Sequence, residues 1–175
     1  LEMLRTILKD TSGQGFSEVD VDLPADGEIV KLVRANKGKL LVAASTGHGL
    51  IVDVQGALAQ TRIGKQVLNL SGTSRAVACC IVEGDMVASV GVNRKLIVFN
   101  LDEVPEVVRG KGVILQRFKD GGLADVVVFD RATGLTWQGG GGRVRTEPNV
   151  STWLARRGGS GKLPPIVFPR PAKFT

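Results

Sequence analysis

Residues 60–70 read QTRIGKQVLNL, and residues 107–116 repeat much of it as VVRGKGVILQ. Gly64-Lys65 and Gly110-Lys111 stand 46 positions apart (110 − 64), each followed by an apolar run. Upstream, the same offset sets Leu50-Ile51-Val52 over Leu96-Ile97-Val98, and residues 40–44 (LLVAA) over 86–90 (MVASV). A fixed period of this length marks solenoids and propellers, whose units bury their faces by stacking. Each copy places a basic, glycine-containing turn between apolar strands.

The first complete copy predicts strands over residues 40–45, 49–54, 65–70 and 76–82; the second predicts them over 86–91, 95–100, 112–118 and 124–129. Gly47-His48-Gly49, Ser71-Gly72-Thr73-Ser74, Val92-Asn93-Arg94 and Lys119-Asp120-Gly121-Gly122 supply the turns. The β-branched enrichment leaves little room for helix, which is expected only after Pro148. Before the repeats, the alternation EVDVDL over 18–23 and the run over 28–33 predict strands of a half unit. After them comes a degraded third copy. Leu135-Thr136-Trp137 begins it, residues 138–142 form a glycine turn, residues 143–146 a second strand, and 148–154 fit a short helix or a strand.

The chain therefore divides into 1–38, the end of a preceding blade; 39–85 and 86–132, two blade repeats; 133–154, a degraded last blade; and 155–175, a basic Pro/Gly-rich tail that is either strapped down or mobile. Four-stranded antiparallel blades in series make an all-β, propeller-like fold, and two complete copies predict an incomplete or open ring.

At 175 residues, 43% of them hydrophobic and 23% charged, the composition is that of one soluble globular domain. No run of eighteen apolar residues exists to span a membrane. The start LEMLRTILKD is too short and too charged for a secretory signal, and reads as the edge of a longer chain. Cys79 and Cys80 are adjacent, so on a strand they point to opposite faces; with one histidine in the chain, no zinc site follows. They read as one buried small apolar residue and one beside it, in a reducing compartment. The net charge is +6, and from Arg131 onward eight basic residues face Glu147 alone. A basic end on a near-neutral body favours a polyanionic partner.

Most candidate sites fail on chemistry. Residues 156–163 (RRGGSGKL) miss a phosphate loop, because Arg156 and Leu163 stand where glycine and Ser/Thr are needed. His48 sits between two glycines with no base–orienter partner in view, and Asp102, Glu103 and Glu106 beside Arg109 read as solvated charge. The basic turns make the stronger case. Arg62/Lys65, Arg94/Lys95, Arg109/Lys111 and Arg117/Lys119 recur on corresponding parts of successive repeats, and Arg143 and Arg145 extend the set. Repetition turns charges scattered in sequence into a stripe in space, where Gly64, Gly110 and Gly112 let backbone amides approach phosphate. No recognition helix is evident, so base-edge readout is not expected.

Residues 40–44, 60–69 (QTRIGKQVLN), 93–98 (NRKLIV), 109–117 (RGKGVILQR), 119–124 (KDGGLA), 134–137 (GLTW) and the closing stretch 163–174 together resemble the C-terminal domains of the family formed by the A subunits of bacterial topoisomerase IV and DNA gyrase. The resemblance implies a β-pinwheel, a propeller-like ring whose blades exchange strands, with a rim that binds and bends duplex DNA. The glycine-rich basic box of gyrase is present only as the echoes QTRIGKQ and VRGKG, which favours the topoisomerase IV branch. Family members break DNA with a tyrosine of their N-terminal region, whereas this chain contains none. The resemblance thus implies a non-catalytic domain that helps choose the transported duplex in decatenation and relaxation, in the bacterial cytoplasm at the nucleoid. Its partners would be double-stranded DNA, the N-terminal region of its own polypeptide, and the topoisomerase IV B subunit in an A2B2 assembly, with no membrane. No cofactor is expected in this chain; ATP and magnesium would lie elsewhere in the enzyme. The competing reading is a propeller-like protein-interaction module with an incidental basic rim.

Overall fold

The computed structural model describes residues 28–31, 37–61 and 63–175. The strand predicted over 18–23 and the side chain of Arg62 lie outside them, and residues 28–31 of the predicted strand 28–33 are not in a strand. Nine strands are described: β1 (Lys39–Ala44), β2 (His48–Asp53), β3 (Ala76–Ile81), β4 (Met86–Gly91), β5 (Leu96–Asn100), β6 (Val113–Ile114), β7 (Leu123–Phe129), β8 (Leu135–Gln138) and β9 (Val144–Glu147). They form three open sheets in the orders β3-β1-β2-β6, β5-β4-β7 and β8-β9, with every strand pair antiparallel.

Helix is not confined to the region after Pro148. One turn, α1 (Val54–Ala57), follows β2 because the Asp53 carboxylate accepts the N–H groups of Gln55 (2.9 Å) and Gly56 (3.3 Å) as an N-cap. Residues 148–154 are neither helix nor ladder strand. Trp153 N donates to Val150 O (3.0 Å) in a turn that ends in a single bridge from Leu154 to Val98.

The strand ladders shift the repeat by one residue. Leu40 pairs with Val52 and Ile81, and Val87 with Phe99 and Val128, so the strands recur at 47 (87 − 40, 99 − 52, 128 − 81) rather than 46. The Gly-Lys turns keep their offset of 46. One residue decides which face is which, because side chains alternate along a strand. Leu41, Ala43 and Ile51 face the same core as Val87, Ile97 and Phe99. Leu40, Val42, Leu50 and Val52 turn instead to a second core, and Met86, Ala88, Leu96 and Val98 to a third. Each of the first two sheets therefore buries both faces, one against its neighbour, and the 46-residue alignment would have inverted one of them.

Sheets also exchange strands, as the resemblance implied. β6 belongs by sequence to the second repeat but pairs with β2 of the first, His48 opposite Ile114 and Gly49 opposite Val113. Since β6 takes the edge of β2, residues 65–70 form no full ladder; Leu68 makes a single parallel bridge to Gly110. The predicted strand 112–118 shrinks to Val113–Ile114 for a related reason, as its later residues turn away to other partners. Gly112 makes the crossing possible. Its φ is +80°, and a Cβ there would lie 2.2 Å from Gly49 O. Gly112→Ala should therefore cost ~1–3 kcal/mol from conformation alone, plus the clash with backbone. Urea denaturation reads this, and an unchanged midpoint would contradict the crossing geometry.

The tail is strapped down. Phe168, Ala172 and Phe174 are buried in one core with Met86, Leu135 and Trp137. The Phe168 ring lies 5.5 Å from Trp137 and 5.4 Å from Phe174, and Gln138 N donates to Phe174 O (3.0 Å). At its foot, Gln116 and Ser89 are buried polar groups that satisfy one another: Ser89 Oγ donates to Gln116 Oε1 (2.9 Å), and Gln116 Nε2 donates to Lys95 O (2.9 Å) and Ser160 O (3.1 Å).

Candidate nucleic-acid interface

Strand exchange lays the copies of the basic motif side by side. Residues 105–115 leave the second sheet and run along β2, with Ile51 N donating to Pro105 O (3.0 Å), Val107 N to Ile51 O (2.9 Å) and Leu115 N to Gly47 O (2.7 Å). The same strip bonds residues 67–69: Gly110 N donates to Val67 O (3.2 Å) and Asn69 N to Gly110 O (2.7 Å). Gly110-Lys111 of the second copy thus lies beside the segment that continues Gly64-Lys65 of the first.

A third strip completes the series. Residues 153–162 run along β5, where Val98 N donates to Trp153 O (2.9 Å), Ala155 N to Val98 O (2.9 Å), and Leu96 and Lys162 exchange backbone hydrogen bonds (2.7 and 2.9 Å). They also bond the preceding strip, through Gly158 N to Leu115 O (2.8 Å) and Arg117 N to Gly159 O (3.1 Å). The bridge at Leu154 sets the offset at 48 (154 − 106), and the bonds to the preceding strip keep it at Gly158 (158 − 110), which places Arg157-Gly158 where Arg109-Gly110 stood. Sequence reasoning missed this copy because it tested residues 156–163 as a phosphate loop; realignment with a two-residue insertion would have found it.

The predicted cations divide into two kinds. Lys95, Arg109, Lys111, Arg117, Lys119, Arg143 and Arg145 are exposed. Two others hold backbone. Lys65 Nζ donates to Gly56 O, the carbonyl of a residue in α1. Arg94, itself at φ +66°, donates from Nη1 to Pro169 O (2.8 Å) and from Nη2 to Phe168 O (3.2 Å), clasping the tail. Arg157, which the motif search passed over, likewise holds structure: Nη1 donates to Ile114 O (2.6 Å) and its backbone N to Glu103 Oε2 (2.9 Å).

Charge is sorted between the two ends of the sheets. β1 and β4 finish where β2, β3, β5 and β7 begin, and that end is knitted by Leu123 N to Ser45 O and Val92 N to Gly122 O (2.8 Å each). Its turns, residues 45–48, 71–75, 92–95 and 115–122, carry Arg75, Arg94, Lys95, Arg117 and Lys119 against Asp120. The opposite end carries Asp53, Glu83, Asp85, Asp102, Glu103, Glu106 and Asp130 against Lys37, Lys39, Lys65 and Arg131. Lys39 is bridged to Glu106 there at 2.5 Å.

Other candidates remain structural. His48 Nδ1 lies 3.0 Å from the Thr46 hydroxyl; burial first, then the nearby Lys111 charge, lowers its pKa, so the ring is neutral at pH 7. Burial pushes the Cys79 and Cys80 thiols up to about 11 and about 12, leaving both protonated and free. No group of metal-ligating side chains is present among the described residues, and none of their helices is long and apolar enough to cross a membrane.

No protein-family model matches the chain. Among solved structures, the fold is similar to the E. coli ParC C-terminal domain, with a TM-score of 0.69 and 21% identity over 84% of this chain and 64% of that one. It is also similar to the C-terminal domain of DNA gyrase A (TM-score 0.56, 20% identity, 73% and 43% covered). The architecture is therefore that of the β-pinwheel domains carried by these proteins. In sequence, the chain is 46% identical over 175 residues to the A subunit of DNA topoisomerase 4 from Rickettsia bellii, and 40% identical over 136 residues to that from Caulobacter vibrioides. It belongs to the family of DNA topoisomerase IV A subunits. These matches cover 97% and 78% of the chain but only 24% and 18% of the relatives, so it spans about a quarter of the length of the first of them.

Proposed function

We propose that this domain binds duplex DNA without sequence preference and without catalysing any step, acting as the C-terminal domain of a topoisomerase IV A subunit. One observation carries the reading: three glycine-containing basic strips, from three successive repeats, are hydrogen-bonded in series. Lys95, Arg109, Lys111, Arg117 and Lys119 supply the phosphate contacts, with Arg143 and Arg145 on the third hairpin. Arg62 belongs to the same set by sequence; Lys65 and Arg94 shape the turns that present it. Its units are residues 39–85, 86–132 and 133–154, followed by the tail 155–175, and the strip 153–162 spans the last boundary.

The finer role follows from the family. The domain bends the bound duplex and helps select the one to be transported in decatenation and relaxation, in the cytoplasm of a bacterium. It works with the N-terminal region of its own polypeptide and with the B subunit in an A2B2 assembly. The chain has no tyrosine, so DNA cleavage through a tyrosyl link falls to another region of the enzyme, together with ATP and magnesium. Filter binding of two duplexes of unrelated sequence tests the proposal. Both should be retained alike and released as salt rises, because phosphate contact exchanges condensed counterions for protein charge. A many-fold preference for one sequence, or no retention at low salt, would favour a protein-interaction module instead.

A further inference from the structure

The tail carries an apolar tip that neither the fold nor the basic strips require. Among the described residues Ile166 is the most exposed large hydrophobic side chain, at 101%, and Leu163 (71%) and Val167 (53%) flank it. Isolated exposed apolar residues are common, but a contiguous group held rigidly outward is not. This group is held. Pro164 and Pro165 fix the backbone before the tip, and Phe168 N donates to Pro165 O (2.9 Å) to close a turn around it. Both feet of the loop are fastened: Trp153 Nε1 donates to Leu163 O (2.7 Å), and the Arg94 guanidinium bonds the Phe168 and Pro169 carbonyls. The buried Phe168 ring anchors the turn from below.

Its surroundings are cationic. The paired backbone bonds between Leu96 and Lys162 set Lys162 next to the start of β5, where Lys95 stands. Arg170 follows the tip, while Lys173 beyond it donates to Ala124 O (2.7 Å), and residues 155–175 contain no acidic side chain. A rigid apolar point framed by exposed lysine and arginine has the chemistry of side chains that enter the minor groove and unstack a base step. Three side chains on one narrow turn suit a slot between bases better than a flat lipid surface.

We infer that Ile166 is a wedge that inserts between adjacent base pairs of bound duplex DNA and kinks it, while Lys95, Lys162 and Arg170 hold the phosphates on either side. This rests on the DNA-binding reading above. The cost of unstacking is offset by the closer wrap that a bend allows, so the wedge adds deformability-based selection to a surface that otherwise senses only charge.

The test is bending of a duplex of about 30 base pairs, read by energy transfer between dyes at its ends. Wild type should kink it by about 20–90°. Ile166→Ser, on a fully exposed site that leaves folding untouched, should abolish the kink and weaken binding several-fold. Its salt dependence should match wild type, because no phosphate contact is lost, and Ile166→Met should restore the kink. A serine variant that bends DNA as wild type does overturns the wedge. So does wild type binding a straight duplex, which would remove the bending role but leave DNA binding standing; wild type failing to bind duplex at all overturns both. Loss of binding to phosphatidylserine vesicles in I166S, with DNA bending unchanged, would reassign the tip to lipid.

Discussion

A variant carrying K95E, R109E, K111E and R117E should bind duplex DNA roughly a thousandfold or more weakly than wild type at 0.1 M salt. Each phosphate contact contributes about 0.9 log units of affinity per tenfold dilution of salt, so four of them account for about 3.6 log units between 1 M and 0.1 M. Reversal adds repulsion to that loss. All four side chains are exposed, and exposed substitutions usually change stability by less than about 0.5 kcal/mol, so circular dichroism and thermal melting should be unaltered. The choice of residues matters. Reversing Lys65 or Arg94 would also break the bonds to Gly56 O or to the tail carbonyls, and a loss of binding could then be a loss of structure. A four-fold variant that retains wild-type affinity would place the DNA elsewhere, with the remaining cations of residues 155–175 as the next candidates.

Those cations cannot be tested by cutting the tail away, because removing residues 155–175 should unfold much of the domain rather than merely discharge it. The deletion strips β5 of its Ala155 and Lys162 partners, leaves Gln116 without Ser160 O, and takes Phe168, Ala172 and Phe174 out of the core. A milder version isolates the packing. Phe174→Ala removes a ring that is 2% exposed and packs edge-on against Phe168. Truncating a buried phenylalanine costs about 3–5 kcal/mol, which for a chain of this size lowers Tm by on the order of 10 °C. A scan of F174A within about 2 °C of wild type would mean that the tail is a loose attachment and does not belong to the second sheet's core.

The sequence displayed the units of this fold but not how they interlock. Short alternating runs and glycine turns announced β1, β2, β4, β5 and β7 to within a residue or two, since each is bounded by a hairpin whose chemistry is local. The face each strand buries was not legible from the motif. Gly64-Lys65 and Gly110-Lys111 recur at 46 and the ladders at 47, and only cross-strand pairing shows which offset governs the side chains. Strand exchange was invisible to local reasoning for a similar reason. Val113 and Ile114 find their partner in the preceding repeat, and the determinant is Gly112 passing over Gly49, a contact between residues 63 apart (112 − 49).

The candidate site was half legible. Exposed Lys95, Arg109, Lys111, Arg117 and Lys119 follow from their turns. Nothing in the residue type told Arg94 from Lys95, although one clasps the tail and the other faces solvent. The distinguishing feature is the left-handed backbone at Arg94, which sends its guanidinium to carbonyls some 75 positions on. Arg157 was hidden by the two-residue insertion that shifts the third strip from its expected offset.

The measurement that bears most directly on the central claim is the slope of log K against log salt for duplex DNA, taken for wild type and for the four-fold variant in parallel. With about four to six phosphates engaged, the wild-type slope should lie near −4 to −5, and the variant should be shallower by about 3.6. Equal slopes for the two proteins, or a wild-type affinity indifferent to salt, would contradict an interface built on the exposed cations of the exchanged strips and the turns beside them.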